Sequence, residues 1–371
     1  MRSSSLTLLA ALLLFVAGCD LLGSNDEETS VTRGIVVANA GNFGDQNGFL
    51  TVYNPETEMA ANLSNLGGFV QSVTVQGGLA YAAINTLGEG RIDVIDLETG
   101  IRTGQITGLS SPRSIAVTED TGYFTAFAFG GSNEVRSFDL VTLALSDVSI
   151  PTTASPEGLV IADDKGYIAN SGFGSGTTLT VFSLTTNTVI GSIDLGCDGP
   201  TEVGQDGDGE IVVICHGNTV FNDDFTQVLS RTNGQVVFVD SDSDEVTGRI
   251  RFNEQLGSTN GTQAGIVVAE TGEAYAMASG SQTIYRIDTR SNQLATQFTV
   301  PSDASLTGLS GIAYDVNSDL LYVGRMPVGA GGFADFTSAG TVVAYDRGFA
   351  EADRFTVGPS VAHIALLTET F

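Results

Sequence analysis

The chain has 371 residues, 43 of them acidic against 15 basic, and a net charge of −28. A surface that negative is unsuited to nucleic acid, whose phosphates need Lys and Arg, and to direct adsorption on anionic lipid headgroups. It suits a solvated protein in high salt, which screens self-repulsion; Lys165 is the only lysine.

Met1–Gly18 carries the marks of a targeting segment. Arg2 gives a short positive start, and Leu6–Val16 is an apolar core interrupted only by Thr7. About eleven residues are too few to span a bilayer and match the hydrophobic region of a signal peptide. Val16-Ala17-Gly18-Cys19 resembles a bacterial lipobox, in which the Cys is acylated and becomes the first mature residue. The alternative is an ordinary secretory signal with a coincidental Cys. Several acyl chains on one residue make a firm anchor, at about 0.8 kcal/mol per buried CH₂. Residues 1–18 are thus expected to be a lipoprotein signal peptide, Cys19 the lipidation site, and 19–33 a polar, acidic tether with nothing to bury. The expected location is the outer membrane or cell surface, with a periplasmic-facing position left open.

From residue 34 onward the sequence repeats. The clearest unit is Ser155–Leu195, with four short apolar runs, Gly158–Ala162, Gly166–Asn170, Leu179–Leu184 and Val189–Leu195. Asp-Asp-Lys-Gly, a Gly/Ser loop and Thr-Thr-Asn separate them. Short β-branched runs bounded by such residues read as strands joined in hairpins, so one unit is a four-stranded meander, strands a to d. In chain order the copies are Gly34–Asn65, Phe69–Leu109, Ser111–Ile150, Ser155–Leu195, Gly199–Phe252, Gly265–Val300 and Leu309–Val357. Gly-Tyr recurs at 122–123 and 166–167, and an aspartate after the third run recurs at Asp96, Asp139, Asp240, Asp288 and Asp346.

The first copy lacks strand a, which Pro359–Leu367 can supply. A period of roughly 40–50 residues with four strands per unit is a propeller signature. The expected fold is all-β: a seven-bladed β-propeller over 34–371, four antiparallel strands per blade, its first blade closed by the C-terminal strand. The recurring aspartate is expected to cap the c–d turn through an Asx-turn. At Asp240-Ser-Asp-Ser-Asp-Glu245 it also opens a run that resembles a calcium loop, but glycine is missing from the sixth position, and capping is the preferred reading.

Cys197 precedes strand a of the fifth unit and Cys215 ends strand b, about equally far from the turn at Gln205–Glu210. Antiparallel pairing then sets them opposite each other, and a disulfide follows in an oxidising compartment. Closing a loop of about 18 residues is worth about 3 kcal/mol in the loop-entropy picture. The alternative is a metal site from both Cys, His216 and Asp198, which lacks CxxC spacing; neither metal nor cofactor is expected.

Catalytic motifs are scarce. The chain has two histidines, His216 and His363, and no tryptophan. It has no G-x-S-x-G, H-E-x-x-H or Walker motif. Arg113, Glu157, Glu202 and His363 stand at the start of strand a, the innermost strand, so a lactonase-like cluster at the channel mouth is the enzymatic alternative. The b–c loops share a face with that mouth. Two are long: Val220–Arg231 carries Phe221 and Phe225, and Met326–Ser338 carries Phe333 and Phe336. Phe43, Phe129 and Phe173 lie on shorter loops of the same face. Phenylalanines in Gly/Asn/Asp loops have little core to enter unless each tucks back over its own blade, and together they read as a recognition rim. The expected ligand-binding residues are Phe43, Arg113, Glu157, Phe173, His216, Phe221, Phe225, Phe333, Phe336 and His363. Arg113 and Glu157, on adjacent blades, are expected to pair when no ligand is bound.

Gly34-Ile-Val-Val-Ala-Asn-Ala-Gly-Asn-Phe-Gly44, followed by Asn47-Gly-Phe-Leu-Thr-Val-Tyr53, resembles the opening blade of YncE-like propeller lipoproteins of Bacteroidetes-type bacteria. The P-x-x-I strand starts and I-D-x-x-T turns extend the resemblance over the whole mature chain. It implies a surface-exposed binding lipoprotein. Some relatives capture vitamin B12 and pass it to a TonB-dependent transporter, so it also implies a corrinoid or other nutrient as ligand and such a transporter as partner. No corrinoid contact is carried over to any residue. The expected function is non-catalytic: a monomeric, lipid-anchored, extracytoplasmic propeller that binds a ligand or partner on its b–c loop face. A cell-surface protein scaffold and a lactonase-like hydrolase are the alternatives. Acylation of Cys19 makes Cys19→Ser a direct test. The variant is expected to leave the detergent phase for the aqueous one in a phase-partition assay, and full retention in detergent would contradict the lipobox reading.

Overall fold

Ile35, Val36, Val37 and Ala38 are all fully buried, although successive residues of a strand point to opposite faces. Ile35 and Val37 pack with Tyr322, Val342 and Phe355 of the last blade. Val36 and Ala38 pack with Val70, Ala82 and Ile84 of the second. A strand covered on both sides reads as an unbroken apolar run, and Ile211–Cys215 and Glu273–Ala278 are buried throughout in the same way.

The computed structural model describes residues 30–128 and 132–371. The signal segment, Cys19 and Phe129 lie outside the described residues. Seven four-stranded antiparallel sheets form the blades. In the order a, b, c, d, blade 1 is Val361–Thr370, Ser30–Asn39, Phe49–Asn54 and Met59–Asn65. Blade 2 is Phe69–Gln76, Leu79–Asn85, Gly90–Asp96 and Ile101–Leu109; blade 3 is Ser111–Val117, Thr121–Phe127, Asn133–Asp139 and Leu145–Pro151. Blade 4 is Pro156–Ala162, Lys165–Asn170, Thr178–Ser183 and Thr188–Asp194; blade 5 is Pro200–Gln205, Ile211–Cys215, Gln235–Asp240 and Glu245–Arg251. Blade 6 is Gly265–Val268, Glu273–Ala278, Thr283–Asp288 and Gln293–Thr299; blade 7 is Leu306–Asp315, Leu320–Pro327, Ala339–Tyr345 and Glu351–Pro359. Each interface between neighbouring blades holds one apolar cluster.

The C-terminal strand closes blade 1, with bounds that differ from the sequence expectation. It begins at Val361, because Pro359 ends blade 7, and it runs on to Thr370. The propeller likewise begins at Ser30 and not at residue 34. Ser30 and Thr32 are polar and read as tether, yet Ser30–Thr32 pair with Thr368–Thr370, and Thr32 Oγ1 donates to Asp315 Oδ1 at 2.5 Å. Blade 5 carries a further hairpin, Thr219–Phe221 with Val228–Arg231, inside what the sequence presents as a plain loop.

The recurring residues have packing causes. Gly122 and Gly166 pair with Phe138 and Phe182 on strand c. A Cβ on either glycine would lie 2.2 or 2.0 Å from the ring opposite, so the ring takes the space of the missing side chain. The recurring aspartates cap their turns. Asp96, Asp139, Asp240 and Asp288 accept the N–H groups of Thr99 (2.8 Å), Thr142 (2.6 Å), Ser243 (2.7 Å) and Ser291 (3.3 Å). Asp346 accepts that of Ala350 (2.9 Å). The amides and hydroxyls of Thr99 and Thr142 hold the Asp96 and Asp139 carboxyls below the ordinary range, and the hydroxyl and amide of Ser243 do the same for Asp240. Asp240 thus serves its turn as its counterparts serve theirs.

The connection crossing from blade 5 to blade 6, residues 253–264, reaches inward to the channel cavity. The Thr259 N–H donates to Leu309 O (2.6 Å), the Ile312 N–H to Gln263 Oε1 (2.8 Å) and Thr262 Oγ1 to Ala362 O (2.6 Å), while Asn260 Nδ2 donates to Val361 O. It therefore ties blade 7 and the closing strand to the blade 5–6 side of the ring. Deleting Val361–Phe371 removes this anchorage, the pairing with Ser30–Asn39 and buried side chains from two interfaces. The deletion is expected to abolish the cooperative thermal transition; an unchanged melting curve would show that the strand is not part of the ring.

Candidate functional site

Strand a of each blade starts at the b–c loop face and runs along the axis, so its first residues surround the channel mouth. Arg113, Glu157, Glu202 and His363 meet there with Gln71, with His216 from the end of strand b in blade 5, and with Ser258 and Thr262 of the crossing connection. They line a narrow cavity of about 40 Å³, room for a few waters.

Arg113 and Glu157 are paired as expected. Nε and Nη2 donate to the two carboxylate oxygens at 2.7 and 2.9 Å, and Nη1 donates to Gln71 Oε1 at 2.6 Å. The guanidinium also lies 5.5 Å from the centre of the Phe127 ring. Gln71 has no charge to draw attention in the sequence. Its place in strand a matches that of Arg113 and Glu157, and aligning the units is the signal that finds it.

Glu202 sits in the same enclosure without a counter-ion. Burial pushes its carboxyl up to about 8; the Ala264 N–H, donated at 3.2 Å, opposes the shift and Glu157 adds to it. Burial lowers His363 to about 4, and its Nδ1 has no hydrogen-bond partner. Near neutrality the cavity wall therefore carries a protonated acid at Glu202 and a neutral imidazole at His363. His216 Nδ1 lies 3.0 Å from Gly217 O, and its ring crowds Gly257, where a Cβ would fall 2.7 Å from Cδ2. Gly257 has φ +141°, which only glycine adopts readily.

The Cys197–Cys215 disulfide is present. Its placement differs in detail from simple equidistance: Pro200 lies opposite Cys215, and Cys197 reaches it from the connection before the strand. Around it the Gly217 N–H donates to Asp198 O (2.9 Å), the His216 N–H to Gly199 O (2.7 Å) and Thr232 Oγ1 to Asp198 Oδ2 (2.7 Å). Among the described residues no group of three or more His, Cys, Asp or Glu is arranged to hold a metal.

The phenylalanines are exposed, but they stand in three places rather than one rim. Phe43, 49% exposed, packs edge-on to Phe69 (6.2 Å), and Phe173, 62% exposed, packs edge-on to Phe127 (5.3 Å). Phe43, Phe69 and Phe127 wall a groove of about 450 Å³ over blades 1 to 3, and Gln71 and Arg113 line both this groove and the channel cavity. Phe221 and Phe225 stand on the blade-5 hairpin with ring centres 6.1 Å apart. Phe333 and Phe336 stand on the blade-7 loop, two blades further round.

No family model matches the chain, and no curated protein matches it. Solved structures do resemble it. A quinonprotein alcohol dehydrogenase-like protein from Bacteroides thetaiotaomicron superposes with a TM-score of 0.65 at 13% identity, covering 91% of this chain and 79% of the other. A functionally unknown protein from Desulfotomaculum acetoxidans gives 0.65 at 12% identity, covering 90% and 99%. A hypothetical selenium-binding protein from Sulfolobus tokodaii gives 0.63 at 12% identity, covering 90% and 93%. At these identities the likeness is one of fold.

The two shifted groups give opposite pH dependences. Glu202 rises from 4.5 to about 8, so between these values the folded chain keeps a proton that the unfolded chain has lost, and the contribution to stability falls as pH rises. His363 drops from 6.5 to about 4, so its contribution is present above 6.5 and lost as pH falls toward 4. From 4.5 to 6.5 the slopes oppose; from 6.5 to 8 only the Glu202 slope remains. In urea unfolding, Glu202→Gln is expected to gain on the wild type across that upper interval, by at most about 1.4 kcal/mol per pH unit. Parallel curves there would contradict the buried, protonated carboxyl.

Proposed function

We propose that this chain is a non-catalytic, extracytoplasmic binding protein that captures a small ligand in the groove over blades 1 to 3. The carrying observation is the groove itself: about 450 Å³, walled by Phe43, Phe69 and Phe127, with Arg113 at its inner end. That volume is within the usual range for ligand pockets. Glu157 and Gln71 hold the Arg113 fork in one orientation, which lowers the ordering cost when a polar ligand group approaches. Each ring fully buried by a ligand contributes about 1.5–3 kcal/mol. The channel cluster supports binding over lactonase-like hydrolysis, because Arg113, Glu157 and Gln71 are already engaged with one another.

The resemblance to YncE-like lipoproteins gives the ligand class to try first, a corrinoid or another nutrient passed to a TonB-dependent transporter. Acylation at Cys19 would hold the protein at the outer membrane or cell surface. The topology suits that arrangement. Strand b of blade 1 starts at Ser30 on the face opposite the b–c loops, so the chain enters the propeller on the side away from the groove.

Phe43→Ala, which removes a groove wall, with Phe173→Ala, which removes the ring packed edge-on to the Phe127 wall, is expected to weaken capture about tenfold, about 1.4 kcal/mol, in calorimetric titration against a panel beginning with corrinoids. The melting temperature should stay near that of the wild type, since both rings are largely exposed. A large fall in melting temperature would make the rings packing elements, and unchanged affinity would place the ligand elsewhere.

A further inference from the structure

Five apolar side chains stand in water on one small hairpin. Val220, Phe221, Phe225, Val228 and Leu229 are each at least 41% exposed. A two-stranded hairpin with no core of its own is marginal in water, yet this one is firmly rooted. Across its turn Asn222 Oδ1 accepts the Thr226 and Gln227 N–H groups, both at 2.9 Å. At its root Thr232 Oγ1 accepts the Asn218 N–H (2.8 Å) and donates to Asp198 Oδ2 (2.7 Å), next to the Cys197–Cys215 disulfide. Gln255, in the connection to blade 6, bonds both legs: it accepts from Thr219 Oγ1 (3.1 Å) and donates to Thr232 O (3.2 Å).

A second projection stands on the other side of blade 6. Residues 328–338 of blade 7 carry Val328, Phe333 and Phe336, which are 38%, 77% and 40% exposed. The Val328 N–H donates to Ser305 O (2.9 Å), in the connection from blade 6, and the Asp335 N–H donates to Pro327 O (2.8 Å). Between the projections blade 6 offers only a short b–c turn, Ser279–Gln282. A hollow of about 450 Å³ lies at the foot of the hairpin, lined by His216, Arg231, Glu254, Leu256 and Ser279 among others.

We infer that the blade-5 hairpin and the blade-7 loop, with the low blade-6 turn between them, form a docking cleft for a protein partner whose contact surface is basic around an apolar centre. Charge decides the occupant. Asp223 and Asp224 lie in the hairpin turn, Asp335 in the blade-7 loop and Glu254 in the hollow, on a chain of net charge −28. A second copy brings the same charge, and an anionic bilayer repels it. A small molecule fills the hollow but leaves both projections in water. A basic partner is steered in by the field, and the projecting side chains then lose their water, which is the dominant gain of association. The inference shares with the proposed function only the use of the b–c loop face; cleft and groove lie over different blades.

The test uses the full chain in its native cells, with photo-reactive benzoyl-phenylalanine in place of Phe225. The trapped protein is identified and purified. Its affinity is then measured at low and high salt for the wild type, for Phe225→Ala with Phe333→Ala, and for Phe43→Ala. The expected result is a heterologous protein cross-linked through a segment rich in Lys and Arg. Its binding should weaken at least about tenfold in the double variant and weaken further as salt rises. Phe43→Ala should bind it as the wild type does, and the double variant should melt with the wild type. An adduct with a second copy, an adduct with lipid only, or no adduct overturns the inference. So does an affinity indifferent to the double substitution or to salt. Because Phe43→Ala reports on the groove alone, failure of the groove reading and failure of this one are separately visible.

Discussion

The structure depends on one pairing, Val361–Thr370 against Ser30–Asn39. A propeller blade has two apolar faces and no means of covering either by itself. Each face is buried only because a neighbour stands against it, and the first and last blades are neighbours only while the ring is closed. The pairing joins the two ends of the chain within one sheet, so loss of either strand exposes two interfaces together. Tyr53 of blade 1 stacked on Phe355 of blade 7, with ring centres 3.9 Å apart, and Thr32 bonded to Asp315 are the side-chain expression of that closure. The crossing connection adds a second tie from inside the ring, through Asn260 and Thr262 to the first residues of the same strand.

A closed ring of this kind leaves its loops free to vary. Among the polar groups nearest the axis, Arg113, Glu157 and Gln71 hold one another, while Glu202 and His363 are pressed toward their neutral forms by burial. They fill the channel mouth and leave water-sized space. The apolar side chains that remain exposed on the b–c loop face are outside this cluster, on the groove walls and on two rooted projections. Surface that costs free energy in water and is also held in place is better explained by recognition than by folding.

Much of this was legible from residues alone. The blades could be read because burial on both faces forces unbroken apolar runs, because Gly122 and Gly166 must make way for a ring, and because five of the seven c–d turns are capped by an aspartate. The Arg113–Glu157 pair could be read because equivalent positions of successive blades are neighbours in space. Other features leave no such trace. The hairpin at 219–231 is exposed on both faces, so it has no alternation to read. Residues 253–264 look like an ordinary Gly/Thr/Asn loop, because their partners are main-chain groups about fifty to a hundred residues away, a distance local pattern does not encode. Ser30–Thr32 look like tether because an outer strand end can be as polar as a linker. That the phenylalanines divide among three places depends on loop direction, which composition does not carry.

The central claim is that the protein works through its b–c loop face. Hydroxyl-radical footprinting of the protein in intact cells, compared with the purified protein, tests it most directly. The account predicts that Phe43, Phe173, Phe221, Phe225, Phe333 and Phe336 lose reactivity in the cell, while exposed apolar residues at the opposite rim, Met59, Ile101 and Val141, stay as reactive as in the purified protein. Protection of Met59, Ile101 and Val141 with the six phenylalanines left reactive would contradict it.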